Sequence, residues 1–240
     1  MSFVPHSDAD RRDMLAKIGV SNIRELYSDI PDSLVRDGLP DMPDALSEWE
    51  TVKAIQELAD RNHSLICFAG AGQYDHFVPA AVDHLIRRSE FYTAYTPYQP
   101  EVSQGTLQVI YEFQTMVCEL TGMDVANASM YDGPSSAAEA AVMARAVTRR
   151  DRVLAAGSLH PHYRKVTETY LPGQGSELQT VPIDERGLVD REALTDALGD
   201  DVACVIVQYP NFFGVIEELE PLAEIVAEAG ALLVVAADPI

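Results

Sequence analysis

The stretch "MYDGPSSAAEAAVMA" carries the residue types that could hold an anion. Gly133 and Pro134 make a turn, Ser135 or Ser136 is placed to cap the helix that follows, and the small residues let backbone approach a ligand. Unpaired N–H groups at a helix start, with the helix dipole behind them, favour a phosphate. The same pattern also suits an ordinary capped crossover helix. It lacks the GK[ST] of a P-loop and the GxGxxG of a dinucleotide fingerprint. "FAGAGQYDH" is glycine-rich, but no helix start follows it to hold a pyrophosphate. His160 and His162 are two residues apart, so they share no helix face, and no third ligand lies nearby to make a zinc site. His160, at the carboxyl end of an expected strand, could stack on a planar ligand or serve only as a capping or surface residue.

Asp238 closes an apolar run expected to be a buried strand, where a carboxylate is costly unless it meets a cation or strong donor. One chemistry that uses such an aspartate is pyridoxal phosphate binding, in which it keeps the pyridinium nitrogen protonated. That cofactor also needs a lysine, and the chain has only Lys17, Lys53 and Lys165, none of them downstream of Asp238. The lysine is therefore expected either beyond residue 240 or on another chain.

A second cluster is aromatic. Tyr92, Tyr95 and Tyr98 are spaced by three, but Pro97 and Pro100 forbid a helix through them. The loop runs into Ser103, an expected N-cap, and then Gln104.

The elements that must position these residues divide near residue 64. Residues 1–64 read as a polar helical arm without strands. "DADRRDMLAKIGV" stops at Gly19, "SNIRELYSDI" ends before Pro31, and "DALSEWETVKAIQELADRN" places Leu46, Trp49, Val52, Ile55 and Leu58 at spacings of three. From 65 to 240 the pattern is α/β. A helix over 103–121 turns Leu107, Ile110, Phe113, Val117 and Leu120 inward and ends at Gly122. Then "VANASMY", "DRVLAA", "ELQTVPI", "VACVIVQYP" and "ALLVVAADP" read as strands that alternate with amphipathic helices. Continuous apolar strands between helices mean a mostly parallel sheet covered on both faces. The last strand has no helix after it to cover it, which leads to the expectation that the natural domain continues past Ile240.

Asp and Glu total 38 against 17 Lys and Arg, a net charge of −21. Such a field disfavours nucleic acid and anionic lipid as partners. The acids are dispersed, which suits a halophilic, salt-screened interior. No signal peptide or membrane-length apolar run occurs, so the protein is expected to be cytoplasmic. Cys67, Cys118 and Cys204 lack CxxC spacing and are expected as buried thiols.

"YTPYQPEVSQGTLQVIYEFQTMVCELTGMDVANASMYDGPSSAAEAAVMA" closely resembles the P-protein family of the glycine cleavage system, at its first subunit, glycine dehydrogenase (decarboxylating) subunit 1. "FVPHSDADRRDMLAKIGV", "GAGQYDHFVPAAV" and "AADPI" fit the same family. The resemblance implies a fold-type-I pyridoxal-phosphate transferase domain and a subunit longer than 240 residues. It implies a cofactor bound covalently by the lysine of subunit 2 rather than by this chain. It implies decarboxylation of glycine, with the aminomethyl group passed to the lipoyl arm of the H-protein and the lipoyl disulfide reduced, hence an oxidoreductase. On this basis Tyr95, Tyr98 and Gln104 are expected at the shared active site, with Ser135, Ser136, His160 and Asp238 as cofactor-binding candidates. Two other readings stay open: a non-catalytic scaffold whose tyrosines cement the subunit interface, and a self-sufficient pyridoxal-phosphate enzyme whose lysine lies past residue 240.

Overall fold

The computed structural model describes residues 6–36, 38, 43–68, 70–91, 96, 98–99 and 101–240. The chain divides into two compact units, 1–65 and 66–240.

The first unit contains α1 (Asp8–Ile18) and α2 (Glu48–Ala59). Both begin with the same device. The Ser7 and Ser47 hydroxyls accept from the N–H three residues on, and the Asp10 and Glu50 carboxylates return to the serine N–H. Two orphan donors of each first turn are thereby satisfied reciprocally. These bonds hold both carboxyls below their usual range. Helix α1 stops at Gly19, whose φ of 92° is the left-handed conformation that the C-cap requires. The expected helix through "SNIRELYSDI" is only a short 3-10 turn over Ile23–Tyr27. No residue of α1 or α2 is buried, and Trp49, Val52 and Ile55 lie exposed along one stripe.

In the second unit, α3 (Ala80–Ile86) and α4 (Gln104–Thr121) precede the sheet. Ser103 sits at the start of α4 but makes no side-chain cap, because its backbone is not in the extended conformation that aims the hydroxyl at the helix N–H groups. The expected inward stripe of α4 is only partly covered: Phe113 and Leu120 are exposed, and no residue of the helix is buried.

The remaining elements alternate: α5 (Gly133–Thr148), β1 (Arg152–Ala156), α6 (Pro161–Tyr170), β2 (Glu177–Val181), α7 (Arg191–Ala197), β3 (Val202–Tyr209), α8 (Leu219–Glu228) and β4 (Leu232–Ala237). The strands pair in the order β2-β1-β3-β4, all parallel. The β-branched run of β3 is buried from Val202 to Gln208, as a central strand covered on both faces must be. Ala137, Ala138, Ala141 and Ala144 let α5 lie close on the sheet. Leu194 and Leu222 bring α7 and α8 into the same core.

Three expectations are corrected. "VANASMY" is not a strand: residues 125–131 hydrogen-bond to no neighbouring strand, and an apolar run becomes a strand only when a sheet edge accepts it. The strand before Asp238 is not buried, because β4 lies at the edge of the sheet and its residues are half-buried or exposed. Of the thiols only Cys204 is buried, its pKa pushed up to about 12 by desolvation; Cys67 is exposed and Cys118 half-buried.

Candidate functional site

Parallel sheets place binding crevices beyond the carboxyl ends of their strands. Here such a crevice, about 410 Å³ in volume, lies between the first turns of α5 and the ends of β3 and β4. Gln208 and Asp238 come to it from the two strands, Gly133 and Ser136 from α5, Tyr163 from α6, and Gly72 from the glycine-rich turn. Both glycines lie against side-chain tips, and Gly72 also has a left-handed φ of 73°. A Cβ at Gly133 would collide with the Tyr163 hydroxyl, and one at Gly72 would come within 2.7 Å of Gln208 Nε2.

The start of α5 is closed by the chain itself. The cap is Asp132, not Ser135 or Ser136 as the sequence pattern implied. Its Oδ1 accepts the Ser135 N–H at 2.7 Å, and Gly133 and Pro134 are the first two helical residues rather than a turn before the helix. The Ser136 hydroxyl donates back to the Asp132 carbonyl at 3.0 Å. The Asp132 carboxylate thus engages the Ser135 N–H, and Pro134 has no N–H to offer. Burial, then the Asp132 charge, push the Tyr163 phenol above its usual pKa, so it stays a neutral hydroxyl.

Asp238 lies in the crevice. Its Oδ2 accepts from His76 Nε2 at 3.0 Å and its Oδ1 from the Ile240 N–H at 3.2 Å. His160 lies outside the crevice lining and caps α6, its Nδ1 accepting the His162 N–H at 3.0 Å, which places the proton of the neutral ring on Nε2. The ring stands edge-on to Phe212, centroids 5.0 Å apart. Burial, then the nearby His162, lower its pKa.

Three residues that sequence reasoning passed over hold this region together. The Glu217 carboxylate is buried, accepting from the Ser158 hydroxyl at 2.9 Å, Asn211 Nδ2 at 2.8 Å and the Val189 N–H at 3.2 Å. Ser158 and Asn211 are fully buried with it. Phe212 N–H donates to the Ser158 carbonyl, and the Phe212 carbonyl accepts the Ala71 N–H. The network thus anchors the turn that carries Gly72. The sequence around Glu217, "GVIEELE", does not single it out from Glu218 and Glu220.

The Tyr98 side chain and Gln104 are exposed, the latter as the first residue of α4; Tyr92, Tyr95, Pro97 and Pro100 lie outside the described residues. Among the described residues no group of histidine, cysteine and carboxylate side chains could hold a metal, and no helix is long and apolar enough to cross a membrane.

A parallel sheet between helix layers, with its crevice at the strand ends, is the architecture of the fold-type-I pyridoxal-phosphate-dependent enzymes. The sphingosine-1-phosphate lyase of Burkholderia pseudomallei shares that fold at a TM-score of 0.58 and 19% identity, over 82% of this chain and 49% of its own. Within that class, the chain belongs to the glycine cleavage system P-protein family, whose model matches residues 1–240. It is 52% identical over 241 residues to the probable glycine dehydrogenase (decarboxylating) subunit 1 of Geobacillus kaustophilus (strain HTA426), covering 99% of this chain and 54% of that protein. A crystal structure of a glycine decarboxylase (P-protein) of the glycine cleavage system, in inhibitor-bound form, superposes at a TM-score of 0.84 with 41% identity, over 100% of this chain and 54% of that one. The chain therefore spans about half the length of the relatives it matches.

No lysine lines the crevice among the described residues, Lys165 being exposed on α6 and paired with Glu168.

Proposed function

We propose that this chain is part of subunit 1 of a two-subunit glycine decarboxylase. The complex would decarboxylate glycine and pass the aminomethyl group to the lipoyl arm of the H-protein, an oxidoreductase reaction in the cytoplasm. The observation that carries the reading is the whole-chain family match to subunit 1 proteins. In this reading the covalent cofactor is held by subunit 2. In this reading the arm of residues 1–64 and the α/β domain of 65–240 are distinct parts. The loop carrying Tyr95 and Tyr98, with Gln104 behind it, completes the partner's active site. A phenol there donates a hydrogen bond to a carboxylate or phosphate, and the flanking prolines preorganise it.

The test is co-expression of the natural full-length protein with its subunit 2, followed by glycine–bicarbonate exchange. Exchange is expected only when both subunits are present. Exchange by this protein alone, or borohydride trapping of the cofactor onto it, would overturn the assignment and favour a self-sufficient enzyme.

A further inference from the structure

Three left-handed residues in a row precede the segment that reaches the end of β4. Gly70, Ala71 and Gly72 have φ of 67°, 61° and 73°. Glycine takes that conformation freely, but the Cβ of Ala71 crowds a backbone carbonyl there, and such strain persists only where neighbouring contacts hold it. The holding contact is the Ala71 N–H, which donates to the Phe212 carbonyl at 3.0 Å. Phe212 is itself fixed to Ser158, and Ser158 to the buried Glu217.

Beyond this point the fastening is thin. Residues 73–79 form neither helix nor strand. Among the described residues, the Gln73 N–H reaches back to the Gly70 carbonyl at 3.3 Å, and the one side-chain tie to the sheet is His76 Nε2 to Asp238 Oδ2 at 3.0 Å. The two side chains of that pair are 46% and 26% exposed, so water competes for it and the tie is weak. Phe77, just past it, is exposed and adds little packing. The geometry also separates a fixed side from a moving one. The Ala71 N–H lies before the bonds whose rotation sets φ and ψ of that residue. Turning them towards the right-handed region relieves the strain and swings residues 72–77, while the bond to Phe212 stays made.

We propose that residues 72–77 are a hinged strap. Residues 70–72 are the hinge, His76 on Asp238 is the latch, and the strain at Ala71 opposes the latch, so that closed and open forms exchange. Closed, the strap brings Gly72 and Tyr74 to the wall of the crevice; open, it widens the mouth. The device is independent of which reaction the assembled complex performs.

The test uses the natural full-length protein with isotope-labelled tyrosine, and reads NMR relaxation dispersion at the Tyr74 amide at fixed pH, which detects exchange between forms on the microsecond-to-millisecond scale. The wild type is expected to show a minor open form. His76→Ala should raise its population about two- to fivefold, as loss of a partly exposed pair would. His76→Gln, whose side-chain N–H can replace Nε2, should return most of that change. Ala71→Gly, which removes the strain, should lower the open population about fivefold. Hydrogen-exchange protection of the β3 amides should stay unchanged in all three variants, which separates strap opening from general loosening. A Tyr74 amide without dispersion, an open population that His76→Ala leaves unchanged or Ala71→Gly raises, or a parallel loss of β3 protection overturns the proposal.

Discussion

Replacing Glu217 by glutamine tests whether the buried carboxylate network positions the crevice. The amide keeps one oxygen, which will turn to the two side-chain donors, Ser158 Oγ and Asn211 Nδ2. Its NH2 then faces the Val189 N–H, donor against donor, where the native Oε2 accepts at 3.2 Å. Loss of a hydrogen bond to a charged acceptor is worth about 1.5–3 kcal/mol, and an unsatisfied buried N–H costs a comparable amount. These overlap, so a net loss of about 2–4 kcal/mol is expected. With a urea m-value of about 2 kcal/mol/M, the unfolding midpoint of the full-length protein should fall by roughly 1–2 M. Ser158→Ala removes one of the same donors, so the double variant should be non-additive by about 1 kcal/mol. Because Phe212 links the network to the 70–72 turn, hydrogen exchange at the Ala71 amide should accelerate in Glu217→Gln. A destabilisation below about 0.5 kcal/mol, or Ala71 exchange that tracks only global unfolding, would refute the reasoning.

Three further outcomes are expected. Tyr98→Phe in the assembled complex should lower glycine–bicarbonate exchange roughly ten- to a hundredfold, the loss of one hydrogen bond to a charged group, while the subunits stay together on gel filtration; unchanged exchange favours the scaffold reading. His160 should titrate below its usual 6.5 in an NMR pH series, with His162→Ala raising it again. Since the folded pKa is depressed and the group is a base, the unfolded chain takes up the proton first; the His160 contribution to stability is then complete above pH 6.5 and declines as pH falls towards the folded pKa. With a net charge of −21, the thermal midpoint should rise from dilute to molar potassium chloride, as the Debye length shrinks from ~30 Å at 0.01 M to ~3 Å at 1 M; a flat or falling midpoint removes the halophilic reading.

What the sequence determined by itself is the part governed by local periodicity. The run "VACVIVQY" alternates with amphipathic helices, and burying such a run on both faces is enough to make it β3 of a parallel sheet. Gly19 and Gly122 end their helices where a left-handed residue is needed, which a glycine in sequence already announces. The family, too, was legible from the run of motifs around "YTPYQP" and "YDGPSS". Tertiary structure decided what depends on distant partners. "VANASMY" has the composition of a strand but pairs with none of β1 to β4, and β4 lies at an edge of the described sheet rather than buried within it. Asp132 rather than a serine caps α5, because only its extended backbone aims a side-chain oxygen at the Ser135 N–H. Glu217, Ser158 and Asn211 meet across 59 residues of chain, and Asp238 finds His76 across 162. No periodicity records such pairings: a buried carboxylate chooses its donors by where the fold carries them, and that is settled only when the layers close.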